Sequence, residues 1–159
     1  MRLSRLIILT ATLALWATGA PVKPDFSGTW KLNNDKSTHD STADRDYVCT
    51  IEQKGDKVTI TTKATPPPAF PPLDGTFVVN GKLIVDKSSP HYHTTRAVWE
   101  GSTLILEVVD KESSKEKAKV LGAIRESWVL SGNGKTLTKF RQNAGGGKVV
   151  DQKYVFDKQ

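Results

Sequence analysis

Two histidines and a glutamate are the residues of this sequence whose types and spacing could do chemistry. His91 and His93 are two positions apart, so in an extended strand their side chains point to the same side. Glu126 is likewise two positions from Trp128. Glu126 points inward if Trp128 faces a core, and the two histidines point inward if Trp99, which shares their side of the strand, does the same. Two imidazoles and a carboxylate could bind a divalent metal, or they could orient a ligand in a mostly apolar cavity.

A simpler arrangement competes with this site. Pro90 could begin a loop that leaves both histidines in solvent, and a bulge could turn Glu126 outward, because short strands bend easily. We favour this arrangement over a metal site. The sequence also contains no nucleophile motif, no phosphate-binding glycine loop and no zinc spacing with cysteines. We therefore assign no catalytic residue, metal ligand or cofactor, and an enzyme is the less favoured hypothesis.

The elements that must position these residues are short strands. Runs rich in Val, Ile, Thr and aromatic residues alternate with Gly and Asn turns, and apolar residues show no helical period after residue 20. Asn80-Gly81 is the strongest hairpin signal. Strands are predicted at 26–32, 47–54, 57–63, 76–79, 82–86, 94–100, 103–109, 120–130, 136–141 and 149–156. The predicted fold class is all-β, a single up-and-down antiparallel β-barrel of about 8–10 strands that closes on itself.

Alternation along these strands predicts which side chains face inward. The inward apolar set comprises Ile51, Val58, Ile60, Phe77, Val79, Trp99, Leu104, Leu106, Ile124, Trp128 and Tyr154. A ligand in such a barrel would meet both the apolar and the polar inward residues. The predicted ligand-binding residues are His91, His93, Trp99, Glu126, Trp128 and Tyr154.

The first 20 residues predict export. Arg2 and Arg5 precede an apolar run at 6–16, and small residues follow at 17–20, which is the layout of a secretory signal peptide. The run is short for a membrane span of ~20 residues, so no stable membrane anchor is expected after cleavage. The predicted location is secreted or periplasmic, with one domain at 21–159.

Charge and cysteine content narrow the class of protein further. The formal net charge is +6, but lysines and acids are interspersed, whereas a nucleic-acid partner would favour a coherent basic stripe. No nucleic-acid partner is therefore expected. Cys49 is the only cysteine, which excludes an intrachain disulfide. Its alternation with Tyr47 and Ile51 predicts a small buried residue.

The stretch Phe26-Ser27-Gly28-Thr29-Trp30-Lys31-Leu32 resembles the Gly-x-Trp start of the calycins, the superfamily of lipocalins and fatty-acid-binding proteins. Trp128–Ser131, followed by Gly134–Thr138, is similar to exported bacterial lipocalin-like proteins. The resemblance implies an antiparallel barrel with an interior cavity for a small apolar ligand. It also implies that Trp30 packs across a closed end, covered by an arginine from a late strand, for which Arg125 and Arg141 are candidates.

The sequence departs from the calycin pattern at two motifs. The lipocalin Thr-Asp-Tyr signature is absent. Gln152-Lys153-Tyr154 stands where the Arg-x-Tyr carboxylate clamp of fatty-acid-binding proteins would lie. The resemblance therefore implies the fold and a ligand cavity, without a known ligand.

Two functions follow as hypotheses. The first is an exported barrel that binds a small apolar molecule in a cavity of ~300 Å³ or more. The second is a ligand-free barrel with a protein partner, an inhibitor or envelope accessory factor, which would act through the proline-rich segment 64–72 and the charged loop 111–119. A filled core with an exposed apolar patch would favour the second.

Overall fold

The computed structural model describes residues 22–38, 46–67 and 72–159. The predicted signal peptide, residues 1–20, lies outside the described residues, and so do residues 68–71 of the proline-rich segment. The strands, contacts and cavities of the fold are those of these described residues.

The described residues form ten strands, and the predicted all-β class is confirmed. The one helix among them is a single 3-10 turn, Asn34–Lys36, and no described helix is long and apolar enough to cross a membrane. The strands are β1 (Gly28–Leu32), β2 (Asp46–Lys54), β3 (Lys57–Thr65), β4 (Gly75–Val78), β5 (Ile84–Asp86), β6 (Tyr92–Glu100), β7 (Thr103–Lys111), β8 (Val120–Leu130), β9 (Thr136–Gly145) and β10 (Lys148–Lys158).

The strands form one antiparallel sheet in the order β4-β3-β2-β1-β10-β9-β8-β7-β6-β5. This is an up-and-down meander in which β1 lies beside β10, and the sheet curls strongly into a half-barrel. Its two ends approach each other where Val79 forms a parallel bridge with Ala97. At the same place the Gly81 N–H donates to the Ala97 carbonyl at 2.9 Å.

The β9–β10 hairpin is longer than the sequence predicts. Gly146 and Gly147 have φ angles of 58° and 76°, and two successive positive φ values make the tight type I′ turn that matches strand twist. The glycines therefore form a two-residue turn instead of a flexible loop. As a result β9 continues past the predicted end, Arg141, to Gly145, and β10 begins at Lys148.

The core lies on the concave face of the curled sheet. Every member of the predicted inward apolar set is either buried or, for Trp99 and Ile124, partly buried against the core. Trp30 is fully buried, and its indole N–H donates to the Phe26 carbonyl at 2.9 Å. Burial of large apolar side chains on one face is the main stabilising contribution to such a sheet.

The cation over the Trp30 ring is a lysine. The Lys158 ammonium lies 5.1 Å from the ring centroid, because Lys158 is the cross-strand partner of Trp30. The two candidate arginines pair with carboxylates instead: Arg125 with Glu107 and Arg141 with Glu126. The arginine cover implied by the calycin resemblance is therefore wrong in its residue, although a cation does cover the ring.

Candidate functional site

The concave face changes character along β8. Successive side chains of a strand point to opposite faces. Trp128, Glu126 and Ile124 therefore face inward, and Arg125 and Ser127 between them lie on the convex face. Trp128 belongs to an aromatic end, Glu126 to a buried polar cluster, and Ile124 to a cavity at the opposite end. These three levels form the candidate site.

The aromatic end joins two of the predicted ligand-binding residues. Phe26 stacks on Trp99 with centroids 5.9 Å apart and rings 9° from parallel. Phe26 also meets Trp128 edge-on, at 5.7 Å and 86°. Both are favourable aromatic geometries. Trp99 and Trp128 thus help to close one end of the half-barrel.

Glu126 faces inward and is 4% exposed. The register of β8 with β7 and β9 is continuous around it, and the irregularity of this region lies at Asp110/Lys111 instead. The alternative in which a bulge turns Glu126 outward is therefore wrong. Its Oε2 accepts the indole N–H of Trp128 at 2.8 Å. Its Oε1 lies 3.4 Å from the Arg141 guanidinium, because Glu126 and Arg141 are directly opposite each other on β8 and β9.

A chain of hydrogen bonds continues from this ion pair. The Arg141 Nε donates to Asn143 Oδ1 at 2.9 Å, and the Asn143 amide donates to Gln152 Oε1 at 2.8 Å. All three side chains are buried. The Gln152 Nε2 is a buried donor with no hydrogen-bond partner among the described residues, and a buried donor without a partner costs free energy.

Lys139 adds a second buried cation to this level. Its ammonium lies 3.3 Å from the Cys49 sulfur and 4.0 Å from the centroid of Trp128, a cation–π distance. Cys49 is fully buried, as predicted. We call Glu126, Lys139, Arg141, Asn143 and Gln152 the polar cluster. With two cations and one carboxylate, the cluster carries a formal positive charge.

Two tyrosines border the polar cluster. Tyr154 is 4% exposed and meets the ring of Tyr47 edge-on at 6.0 Å. Burial raises the pKa of Tyr47, and the nearby Glu126 carboxylate raises it further because it repels a phenolate. Tyr47 is therefore a neutral hydroxyl across the physiological pH range.

The end of the concave face opposite the aromatic residues is open. One cavity there has a volume of about 290 Å³ and a second has about 240 Å³. The first is lined by Pro72, Leu73, Asp74, Phe77, His93, Thr95, Val108, Asp110 and Ile124. The second is lined by Val108, Asp110, Gly122, Ala123, Ile124, Asn143, Ala144 and Gly145. Since they share Val108, Asp110 and Ile124, they lie side by side, and we call them together the mouth cavity.

The two histidines are placed differently. His93 lines the mouth cavity, and its Nδ1 lies 2.7 Å from Asp110 Oδ1, the residue opposite it on β7. His91 is exposed and precedes β6, which begins at Tyr92, so the strand alternation does not extend to it. Among residues 22–38, 46–67 and 72–159, no three His, Cys, Asp or Glu side chains are grouped to hold a metal.

The structure thus joins part of the predicted site and adds residues to it. Trp99 contacts Trp128 through Phe26, and Trp128 contacts Glu126, while His93 stands apart at the mouth. The residues that sequence reasoning did not place in the site are Asp110, Lys139, Arg141, Asn143 and Gln152. Alternation from the buried Leu137 would have placed three of them on the inner side of β9, and alternation from Tyr154 would have placed Gln152 on that of β10.

No protein-family model matches the chain, and no curated protein is significantly similar to it. The class of protein is therefore defined by the fold: an all-β, up-and-down antiparallel sheet curled into a half-barrel. A fold of this kind is compatible with ligand binding, but fold alone does not specify function.

Proposed function

We propose that this protein is an exported, calycin-like binding protein that holds a small, mainly apolar molecule in the mouth cavity. The observation that carries the proposal is the cavity itself, with a compartment of about 290 Å³, close to the ~300 Å³ at which ligand pockets begin. The Gly28-x-Trp30 start followed by an up-and-down meander supports the calycin likeness. Residues 1–20, with the layout of a signal peptide, support export.

The lining of the mouth cavity favours an apolar molecule with one polar group. Phe77, Val108 and Ile124 supply apolar walls, while the polar lining residues Asp74, His93, Thr95 and Asp110 can orient a ligand. Asn143 belongs to the polar cluster and also lines the mouth cavity. Its amide donates to Gln152 Oε1, whose Nε2 has no hydrogen-bond partner among the described residues. A ligand with a hydrogen-bond acceptor at its inner end would fit this arrangement, because the polar cluster is rich in donors and positively charged.

Filling the cavity tests the proposal. Ile124→Trp adds bulk to a wall that both compartments share. Val129→Trp is the matched control, since Val129 lies on the same strand but is 40% exposed on the convex face. The probe is the apolar fluorophore N-phenyl-1-naphthylamine, whose emission rises in an apolar site. Thermal melts establish that both variants are folded.

We expect the wild type and Val129→Trp to bind the fluorophore with the same affinity and Ile124→Trp to bind it at least about tenfold more weakly. A tenfold change corresponds to about 1.4 kcal/mol, which does not exceed the contribution of one displaced apolar group. Equal binding by all three proteins, or no binding by the wild type, would overturn the proposal. If Ile124→Trp alone weakens binding, native mass spectrometry of the protein purified from its host would identify the natural ligand.

A ligand-free interaction barrel is the second candidate. The observation in its favour is a run of exposed apolar residues at Leu83, Ile84 and Val85. Exposed apolar patches mark interaction sites in many soluble proteins. The fluorophore experiment separates the two candidates, because a ligand-free barrel has no reason to bind an apolar probe in the mouth cavity.

A further inference from the structure

The strand β5 is an edge whose side chains are unusually apolar. It is the last strand of the sheet, it pairs only with β6 among the described residues, and all three of its residues are exposed. Leu83, Ile84 and Val85 are 58%, 43% and 38% exposed. Natural proteins usually protect sheet edges with charge, proline or a cover, because an exposed apolar edge invites another strand. An edge of this composition therefore indicates an interaction surface.

The backbone of this edge is available for pairing. On an edge strand, every second residue points its N–H and C=O away from the sheet. Among the described residues, β4 does not pair with these groups of β5, since β4 lies at the other end of the sheet order. The chain after β4 meets the sheet at Ala97 instead. A further strand can therefore add to β5 by main-chain hydrogen bonds.

The charges that flank the apolar run identify the strand that fits. The sequence reads Lys82-Leu83-Ile84-Val85-Asp86. If the segment pairs antiparallel with its own copy about Ile84, Leu83 of each copy lies opposite Val85 of the other. Lys82 then lies opposite Asp86, twice, by symmetry. Apolar and opposite-charge pairs of this kind are the favourable cross-strand pairs, and a two-fold interface needs such self-complementarity.

Local hydrogen bonds stabilise the Asp86 carboxylate. Asp86 Oδ1 accepts hydrogen bonds from the Ser88 hydroxyl at 2.6 Å and from the Ser88 N–H at 2.8 Å. These bonds hold the pKa of Asp86 below its ordinary value. Both bonds end on Oδ1, which leaves Oδ2 for a lysine of the second copy. Lys82 makes no ion pair within the described part of the chain.

We infer that the segment 82–86 is a self-association edge, through which two copies of this protein form an antiparallel, two-fold dimer centred on Ile84. The dimer joins two half-barrels edge to edge, and the mouth cavity of each copy lies outside the interface. The inference is independent of the proposed ligand-binding function, since neither Lys82 nor Asp86 lines the mouth cavity.

The experiment exchanges charges at the two positions and measures mass by sedimentation velocity across a micromolar to submillimolar concentration range. In a dimer of the Lys82→Asp variant, the introduced aspartate of each copy lies opposite Asp86 of the other copy. In a dimer of the Asp86→Lys variant, the introduced lysine of each copy lies opposite Lys82 of the other copy. We expect each variant to dimerise at least about tenfold more weakly than the wild type. An equal mixture of the two variants should dimerise with nearly wild-type affinity, because in the mixed dimer every acid at these two positions lies opposite a lysine.

The controls are Lys119→Asp and Glu112→Lys, which make the same charge changes at exposed positions of the β7–β8 loop. Both should dimerise like the wild type. A wild type that stays monomeric throughout the range would overturn the inference. So would a dimer that survives both exchanges, or a mixture that fails to restore the dimer when thermal melts show both variants to be folded.

Discussion

Replacement of Glu126 by glutamine should strongly destabilise this protein, because it removes the only carboxylate of the polar cluster. The introduced glutamine can still accept the Trp128 indole N–H through its amide oxygen, and it has nearly the same volume as glutamate. The change therefore isolates the charge. It leaves two buried cations, Arg141 and Lys139, which are 3% and 4% exposed, without a compensating anion in the cluster.

The magnitude follows from the geometry of the pair. Its closest N–O distance is 3.4 Å, and both side chains are almost fully buried. At an effective dielectric constant of about 20, Coulomb's law gives about 5 kcal/mol for that separation. Measured losses on removing one partner of a buried pair are about 3–5 kcal/mol. For a domain of roughly 140 residues, such a loss lowers the melting temperature by roughly 10–17 °C.

The assay is urea unfolding followed by tryptophan fluorescence. The matched control is Glu107→Gln on the convex face, where the carboxylate lies 3.0 Å from Arg96 and 3.4 Å from Arg125. These side chains are 30–45% exposed. Water and salt screen such pairs, so the control should lose less than about 1 kcal/mol.

A double variant, Glu126→Gln with Arg141→Met, completes the thermodynamic cycle. Methionine keeps much of the apolar stem of arginine and removes its charge. Since a buried pair replaced as a whole costs little, the coupling between the two positions should be at least about 2 kcal/mol. A Glu126→Gln variant within about 0.5 kcal/mol of the wild type would contradict a large contribution from the ion pair. So would losses for Glu126→Gln and Arg141→Met that simply add in the double variant.

Two further predictions concern other buried groups. Trp30→Phe should lower the free energy of unfolding by about 1–3 kcal/mol in the same urea assay, because it leaves the Phe26 carbonyl buried without its indole donor; a loss below about 0.5 kcal/mol would show that water replaces the bond. The free energy of unfolding of the wild type should fall as the pH rises above about 10, the pKa of tyrosine in the unfolded chain. Tyr47→Phe should make this fall smaller. Because the pKa of Tyr47 is raised in the folded state, the folded protein stays protonated there to a higher pH than the unfolded chain. The stabilisation by the protonated Tyr47 is therefore complete below about pH 10 and is lost as the pH rises further. Urea midpoints at pH 8, 10 and 11 test this, and parallel pH profiles of the two proteins would contradict it.

The sequence was sufficient to predict the fold because alternation and turn residues agree along most of the chain. Val58, Ile60 and Phe77 alternate with polar residues, and all three are buried as that pattern predicts. Gly55-Asp56 forms the predicted turn between β2 and β3. The predicted Asn80-Gly81 hairpin is wrong, because β4 and β5 lie at opposite ends of the sheet and the chain after β4 meets Ala97 of β6 instead. Where the apolar alternation and the turn residues indicate the same structure, the secondary structure can be predicted from the local sequence.

The polar cluster was not predicted in the same way, because polarity and strand alternation disagree along β9. Phe140 is 49% exposed on the convex face, while Lys139 and Arg141 on either side of it are buried. Polarity alone therefore assigns this strand to the wrong face. Its true orientation follows from the cross-strand register, in which Arg141 lies opposite Glu126. Register is a property of strand pairing, and a single sequence does not contain it explicitly.

The placement of β1 beside β10 divides the chain into two folding neighbourhoods. Strands β1–β4 form one uninterrupted meander and β5–β10 form another, and in the sheet order they meet where β1 pairs with β10. That junction pairs three residues of each strand, against ten in the β9–β10 hairpin. Each meander can assemble from local contacts, but joining them requires the chain to close a loop of more than a hundred residues. Trp30 lies at that junction, and its burial therefore helps to hold two locally folded halves together as one domain.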